Sequence, residues 1–319
     1  MNDEILKVCL ESLFDHAGTF PPAAKEFDQA LKDAGSFSRT LRRPYLVATD
    51  FVTEVSNLGR IVTANLQNYG FSAGAECRVC VLGSTLGAAT TNHNLSAEIE
   101  AIKAFYAVGS DSVRRMAYAY ECKIENQLLS DQDALLTLIN DLSNQFPCPK
   151  FTVALEPNLA TAAWQSDLRL AVEILAAVKP TQNRARVALK LRGNGPQAIT
   201  NEIFAEALMQ AVPLRLPLKA TGGLHHPLIE TERYQNSFGF LNLTLALIVC
   251  GLDRQVSKME LLQILENTDP GFFDFTTTLK VGSKVFDLEA VKNFRRNYSF
   301  TIGSCSLVEP DSDLTRLYY

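Results

Sequence analysis

Apolar positions along the chain follow two periods that alternate with each other. Short runs rich in β-branched and aromatic residues are separated by longer segments in which apolar residues recur every three or four positions, as at 96–108 and 159–179. The short runs predict eight strands, at 45–52, 77–83, 115–124, 151–157, 186–193, 214–222, 272–279 and 298–304. Because a strand-then-helix alternation requires parallel strands joined by crossover helices, the pattern predicts an α/β fold.

The number of strands and the length of the chain favour a (βα)8 TIM-type barrel with an N-terminal extra helix. No helix is predicted after the last strand, and the leading helix at 3–14 is expected to fill that place. We predict a single α/β-barrel domain over 1–319, in which 1–44 form the N-terminal helix and a Pro-rich loop and 45–306 form the barrel. The alternative is an open doubly wound α/β sheet, but no G-x-G-x-x-G follows the first strand.

Strand alternation places charged side chains on the same face of four consecutive strands. In 186–193, Lys190 shares its face with Ala188, whereas the opposite face is bulky and apolar. Helices cover the outside of such a barrel, so we expect the charged face inside, at the carboxyl ends of the strands where barrel enzymes have their active sites. The residues brought to this mouth are Glu121, Lys123, Glu156, Lys190, Arg192 and Lys219.

Four cations against two carboxylates predict a small anionic ligand, a carboxylate or a phosphate. Cations near Lys219 would lower its pKa, and a neutral amine can form a Schiff base with a carbonyl. In this hypothesis Lys219 reacts, Lys190 lowers its pKa, Glu156 moves protons and His225 acts as an acid or base. The other predicted substrate contacts are Glu121, Lys123, Arg192, Thr221, Gly222, Gly223, His226 and Ser304.

Other interpretations of the same charges stay open. Lys219 and its neighbours can bind an anion, or form a stabilising ring of ion pairs, without chemistry. No cofactor is required, but Glu121, Glu156 and His225 are a candidate set for a divalent metal, with Lys190 abstracting a proton as in enolase-like barrels. No H-x-H or H-E-x-x-H spacing supports that metal site.

Two further stretches raise questions that the pattern leaves open. The segment "DHAGTFPPA" at 15–23 breaks the first helix and is expected to cover either the barrel mouth or its opposite end. Cys305 follows the last strand, but no partner base is evident, so a buried structural thiol is favoured over a nucleophile. In "CRVC", Cys77 and Cys80 lie three apart on a strand, so their thiols are expected on opposite faces.

Several motifs carry a resemblance to known families. The Lys-Ala-x-Gly-Gly order at 219–223 resembles the lysine-bearing strand end of class I aldolases such as deoxyribose-phosphate aldolase. Together, "DHAGTFPPA", "LKLRGNG", "LKATGGLHHP", "GFLN" and "GSCSLVEP" resemble a family of bacterial (βα)8-barrel-like proteins without an assigned activity. The second resemblance implies the barrel fold and implies no catalytic residue.

The amino-acid composition excludes some classes of binding partner, but it does not indicate the reaction. The net charge of −5, with no basic run longer than two residues, argues against nucleic-acid binding. The acidic start does not have the basic segment and long apolar core typical of a signal peptide, and the longest apolar run, 241–252, is expected to be too short to span a membrane. Seven cysteines at irregular spacing predict a cytoplasmic protein without a disulfide framework. The sequence is compatible with a homo-oligomer.

The function expected from these observations is a lyase of the aldolase type, acting on a small anionic carbonyl compound through a Lys219 Schiff base. The alternatives are a metal-assisted enolase-like lyase or isomerase, and a non-catalytic barrel that binds an anionic metabolite or a protein.

Overall fold

Eight parallel strands close into a barrel in the computed structural model, which describes residues 3–87, 91–107, 112–146, 151–178, 185–229 and 238–318. The barrel strands are β1 (Phe14–His16), β2 (Phe51–Glu54), β3 (Glu76–Leu82), β4 (Arg114–Ile124), β5 (Thr152–Pro157), β6 (Arg186–Arg192), β7 (Leu218–Thr221) and β11 (Phe300–Ser304). They neighbour one another in chain order, and β11 pairs with β1 to close the ring. The predicted barrel is therefore confirmed, and the open doubly wound sheet is wrong.

Helices lie between successive strands over most of the barrel. They are α1 (Asp3–Leu10), α2 (Phe27–Thr40), α3 (Leu58–Thr63), α4 (Thr91–Ala107), α5 (Gln132–Gln145), α6 (Trp164–Ala177), α7 (Asn201–Ala211), α8 (Phe240–Leu252), α9 (Lys258–Leu265), α10 (Leu288–Asn297) and α11 (Val308–Tyr318). Several begin where the sequence provides a cap, as at α7, where Thr200 Oγ1 accepts a hydrogen bond from the backbone N–H of Ile203. The predicted helix ends at 108 and 179 lie outside the described residues.

The barrel begins at Phe14 and not at residue 45 as predicted. β1 has only three residues, which is too short for an alternating pattern to be visible in the sequence. It pairs with β11 over its whole length and with β2 at a single position, His16 to Phe51. Of the strand predicted at 45–52, only Phe51 and Val52 belong to β2, because the chain first makes a 3-10 turn at Pro44–Leu46, and β2 continues to Glu54.

The strand predicted at 272–279 is not part of the barrel. It contributes β8 (Phe273–Asp274) to a small antiparallel sheet with β9 (Leu279–Val281) and β10 (Lys284–Phe286). A hairpin and a barrel strand share the same apolar and β-branched composition, so the run at 272–279 did not distinguish them. β7 pairs directly with β11, and this sheet lies in the long connection between them. The last strand is followed by α11. The prediction that no helix follows this strand, and that the leading helix takes its place, is therefore wrong.

The two faces of the barrel strands carry different side chains, as predicted. Bulky apolar residues such as Val153, Leu155 and Leu189 are fully buried in the main core outside the strands. A second, smaller cluster lies apart from this core and is formed by Val52, Cys80 and Ala119, with Ala17, Phe20 and Leu82 packed against it. The small residues leave room inside the barrel for the charged side chains described next. Across the described residues, no helix has both the length and the apolar character needed to cross a bilayer.

Candidate active site at the carboxyl end of the barrel

Six charged side chains form a continuous chain of ion pairs inside the barrel. Lys219 Nζ contacts Asp15 and lies 2.5 Å from Glu121 Oε1. Glu121 Oε2 lies 2.7 Å from Lys190 Nζ, which is also 2.9 Å from Glu156 Oε2. The chain ends at Arg192, and we call the whole set the axial ion network: Asp15, Lys219, Glu121, Lys190, Glu156 and Arg192.

Arg192 closes the network with a two-point contact. Its Nε and Nη2 donate to Glu156 Oε1 and Oε2 at 2.5 and 2.9 Å. This fork geometry fixes both carboxylate oxygens of Glu156 in the plane of the guanidinium. Arg192 is the most accessible of the set, with 26% of its side chain exposed, whereas the other five members are buried.

Strand register explains why these side chains meet. Lys190 on β6 pairs in register with Lys219 on β7, so the two amines extend into the barrel side by side. Glu121 on β4 lies level with Ala154 on β5, whose small side chain allows Glu121 to reach the lysines. The predicted convergence of Glu121, Glu156, Lys190, Arg192 and Lys219 is what the structure shows.

The charge count predicted for this site is wrong. The sequence suggested four cations against two carboxylates, but Asp15 enters the network from β1, and Lys123 is exposed at the barrel mouth. The axial ion network thus holds three carboxylates and three cations, and no excess positive charge remains in it. Asp15 was missed because β1 was not recognised as a strand. The signal that could have found it is an acidic residue between two apolar-face positions, Phe14 and His16.

The pKa of Lys219 moves in the opposite direction to the one predicted. Burial alone would lower it, but the negative charges around the amine outweigh burial, with Asp15 the strongest, and hold the pKa well above its ordinary value. For Lys190 burial is likewise outweighed by Glu121 and Glu156, and its pKa is raised. Lys190 therefore does not lower the pKa of Lys219, because Glu121 lies between the two amines. Both lysines rest as ammonium ions.

The carboxylates of the network show the complementary shift. Burial would raise the pKa of Glu121, but Lys190 and Lys219 outweigh it and hold the pKa far below the usual range. Burial is also outweighed at Glu156, by Arg192 and Lys190, and its pKa is lowered. Glu156 is thus an ionised anchor for two cations, which makes it poorly suited to the predicted role of moving protons.

Cys80 is a neighbour of the network that sequence reasoning did not identify. Its Sγ donates to Glu121 Oε1 at 2.7 Å and lies 3.7 Å from Lys219 Nζ. The prediction that Cys77 and Cys80 occupy opposite faces is confirmed, since Cys77 is buried in the core outside the barrel. Burial, and the nearby charge of Glu121, raise the pKa of the Cys80 thiol well above its ordinary value.

A second acidic group lies beneath Asp15, toward the amino end of the barrel. The backbone N–H of Asp50 donates to Asp15 Oδ1, and the Asp50 carboxylate accepts from Arg78 Nε at 2.8 Å. Burial and the charge of Asp15 raise the pKa of Asp50 to about 6. Asp15, Asp50, Arg78 and Lys219 line a cavity of about 1290 Å³ at this end. Asp50 is therefore a proton acceptor next to the network with a pKa near neutrality.

The network also borders a cavity of about 620 Å³ at the carboxyl end. Eight of the predicted site residues line it: Glu121, Lys123, Lys190, Arg192, Lys219, Thr221, Gly222 and His225. Ala17, Phe20 and Pro21 line the same cavity, so the segment 15–23 lies over this mouth and not at the opposite end. This cavity combines two buried lysines, the Glu121 carboxylate and an open side, which is the arrangement expected of a small-molecule site.

The predicted catalytic residue Glu156 and three predicted substrate contacts are not on the wall of this cavity. Ser304 is buried, and its Oγ donates to the backbone carbonyl of Ser306, because alternation along β11 turns it away from the interior. His226 points to α11, where its Nδ1 lies 2.6 Å from Asp313 Oδ2. Gly223 follows Gly222 in the turn, both with positive φ, at 76° and 80°, and only Gly222 reaches the cavity.

The candidate metal ligands do not come together. Within the described part of the chain, no three His, Cys, Asp or Glu side chains converge as a set that could hold a metal ion. Glu121 and Glu156 each bind two cations of the network, and His225 contacts Cys305 instead. The geometry thus gives no support to the enolase-like alternative.

Comparison with known proteins gives little further information on the function of this site. No family model and no curated protein matches the chain, so the resemblance to a bacterial barrel family stays a prediction. The apo crystal structure of a candidate deoxyribose-phosphate aldolase from Toxoplasma gondii ME49 is 14% identical, with a TM-score of 0.38, and the match covers 100% of this chain and 98% of that one. A second structure with the same description is 13% identical, with a TM-score of 0.37 and coverage of 99% and 95%. Similarity at this level assigns no activity.

Proposed function

We propose that the protein is a lyase of the aldolase type that forms an imine between Lys219 and a small anionic carbonyl compound. The observation that carries this proposal is the pair of buried lysines, Lys190 and Lys219, held side by side by Glu121 at the floor of a cavity. A purely stabilising network does not need an open cavity against both amines. Imine chemistry needs one amine as nucleophile and a second acidic group beside it.

Asp15 is the base for the first step, since it contacts the Lys219 ammonium directly. Proton transfer from Nζ to Asp15 converts the buried ion pair into a neutral amine and a neutral carboxylic acid, so it creates no isolated charge inside the barrel. The neutral amine then attacks the carbonyl carbon, a C–N bond forms and the C=O π bond breaks. The two protons that Nζ loses leave with the carbonyl oxygen as water, and the protonated imine remains.

Lys190 is the acid that assists this step. As an ammonium ion it can donate a proton to the carbonyl oxygen and then take one back from Lys219 Nζ, and Glu121 and Glu156 keep it protonated. Asp15 gives its proton to the departing water and is a carboxylate again.

In the cleavage step, Asp15 takes the proton of the hydroxyl group on the carbon two positions from the imine carbon. That carbon leaves as an aldehyde when its bond to the adjacent carbon breaks, and the electron pair of this bond converts the protonated imine into an enamine. We assign Arg192 and Lys123, the accessible cations of the cavity, to the anionic group of the substrate.

The complete pairing of charges favours one competing function, a barrel that binds an anionic metabolite or a protein partner without chemistry. In that case Lys219 only holds Asp15 and Glu121 together, and no covalent adduct forms.

Borohydride trapping separates the two functions. The protein is incubated with a panel of small aldehydes and ketones that carry a carboxylate or phosphate, reduced with borohydride and measured by intact mass. Lys219→Arg keeps the cation between the two carboxylates but removes the nucleophile. Lys190→Arg makes the same change one strand away and keeps the nucleophile, but it removes the assisting acid, because a guanidinium does not release its proton.

We expect an adduct mass in the wild-type protein and, formed more slowly, in Lys190→Arg, mapped in both to the peptide that contains Lys219, and no adduct in Lys219→Arg. No adduct with any compound, or an adduct that persists in Lys219→Arg, is incompatible with the proposed role of Lys219. Thermal unfolding of each variant confirms that a missing adduct does not reflect a missing fold.

A further inference from the structure

A cysteine–histidine pair lies on the wall of the carboxyl-end cavity, and the imine chemistry does not use it. Cys305 directly follows β11, and His225 follows the Gly222–Gly223 turn after β7. Their side chains meet, with Cys305 Sγ 3.4 Å from Nδ1 and 3.7 Å from Nε2 of the ring. Both residues line the cavity. The sequence presented Cys305 without a partner base, and the fold supplies one from another strand end.

Each member of this pair is in the protonation state that a nucleophile and its base require. Burial lowers the pKa of His225, so the ring is neutral at pH 7 and can accept a proton. Burial raises the pKa of Cys305, so the resting thiol keeps its proton and depends on a base for activation. Hydrogen bonding from the backbone of Ala23 acts against burial and favours the thiolate.

The remaining cysteines of the described chain are in different surroundings. None of them lines the carboxyl-end cavity, and all of them are buried: Cys9, Cys77, Cys80, Cys122 and Cys250. Burial raises the pKa of Cys9, Cys77 and Cys250 to about 12. Cys80 donates to the Glu121 carboxylate, whose charge opposes formation of a thiolate. Within the described chain, Cys305 alone combines a thiol, a neutral histidine and a cavity.

We propose that Cys305, with His225 as its base, is a second nucleophilic centre of the cavity that binds small aldehydes as hemithioacetals. Sγ adds to the carbonyl carbon, an S–C bond forms and the C=O π bond breaks. The thiol proton passes through the His225 ring to the carbonyl oxygen, which becomes a hydroxyl group. Atoms and electrons balance without an oxidant or a second reactant, and the step reverses by the same path. It does not depend on an imine at Lys219.

Alkylation by iodoacetamide at neutral pH tests this centre, with the modified cysteine identified by peptide mass. We expect Cys305 to be the described cysteine that reacts fastest in the folded protein. His225→Gln should slow its alkylation by about tenfold or more, because the base is lost. His226→Gln is the matched control, since it changes the adjacent histidine, which points to Asp313 and acts on His225 only through its charge, and it should change the rate by less than about twofold.

Acetaldehyde is the probe for the proposed ligand class. It should protect Cys305 from alkylation, and ¹³C-labelled acetaldehyde should show a hemithioacetal resonance that is absent in Cys305→Ser. Both effects should persist in Lys219→Arg, so failure of the imine proposal and failure of this one are distinguishable. Equal alkylation rates in the wild-type protein and His225→Gln, or no protection by acetaldehyde, would overturn the proposal.

Discussion

Asp15 and His16 are adjacent in β1 and point to opposite sides of the barrel wall. Asp15 extends inward to Lys219. His16 extends outward, where its ring packs edge-on against Phe37 at 4.8 Å between centroids and lies 6.0 Å from Phe51. One residue of β1 thus completes the charge balance of the site, and the next is a titratable group inside an apolar layer.

The burial of His16 predicts an acid-sensitive fold. Burial lowers the pKa of His16 to about 4, from an ordinary value of 6.5. The folded state therefore keeps the ring neutral while the unfolded state takes up a proton, so stability is full above pH 6.5 and is lost as the pH falls to about 4. This single group accounts for a loss of about 3 kcal/mol in the free energy of unfolding.

His16→Phe removes the titration while keeping an aromatic ring against Phe37. We expect the free energy of unfolding in urea, followed between about pH 4 and 7, to fall less steeply for the variant than for the wild-type protein. Asp50 titrates near the same range with the opposite sign, since its raised pKa favours the folded state at lower pH, but it contributes equally to both proteins. Parallel pH profiles would show that His16 is not held neutral.

At the scale of elements, the turn after β7 depends on backbone conformation more than on side-chain contacts. Gly222 has φ of 80°, a conformation that other residues adopt at a cost, and a Cβ at this position would overlap Asn194 Oδ1. Gly195 has nearly the same φ, 78°, but open space around its Cα. The two glycines therefore separate the conformational cost from the steric one.

We expect Gly195→Ala to lower the free energy of unfolding by about 1 kcal/mol through φ alone. Gly222→Ala should lower it further, by at least about 1 kcal/mol, because Asn194 must also move. Urea unfolding of both variants measures the difference. Equal losses would mean that the Gly222 turn relaxes freely and does not hold Asn194 and the cavity wall in place.

Elements with a long, regular pattern could be predicted from the sequence, and short ones could not. The positions of β3 to β6 follow from alternation over six residues or more. β1 has three residues, and β8 has two, so one was missed and the other was assigned to the barrel. A strand of this length is defined by the neighbours it pairs with, which are far away in the chain, and local pattern carries no information on them.

At the scale of the whole molecule, the location of the site could be predicted from the sequence, but the charges and pKa values of its side chains could not. Alternation placed Lys190, Lys219 and Glu121 inside the barrel because side-chain direction is a local property of a strand. The pairing of Asp15 with Lys219 depends on closure of the ring between its first and last strands, β1 and β11. The contact of Cys305 with His225 depends on the pairing of β7 with β11, which are separated by a long connection. Pairing between strands that are distant in the chain therefore determined the pKa of Lys219 and the partner of Cys305.

The central claim is that Asp15 and Lys219 depend on each other as a buried ion pair of the axial ion network. A double-mutant cycle of Asp15→Asn and Lys219→Met, followed by urea unfolding, tests it most directly. The surface pair of Lys25 and Asp33, 2.6 Å apart and partly exposed, is the control cycle, with an expected coupling of about 0–1 kcal/mol.

Each single change at Asp15 or Lys219 should cost about 3–5 kcal/mol, because it removes one member of a buried ion pair and leaves the network with an uncompensated charge. The double variant should cost less than the sum of the two by at least about 2 kcal/mol, since no unpaired charge remains at this contact. Costs that add to within about 0.5 kcal/mol would contradict the account, because the two side chains would then not be paired inside the barrel.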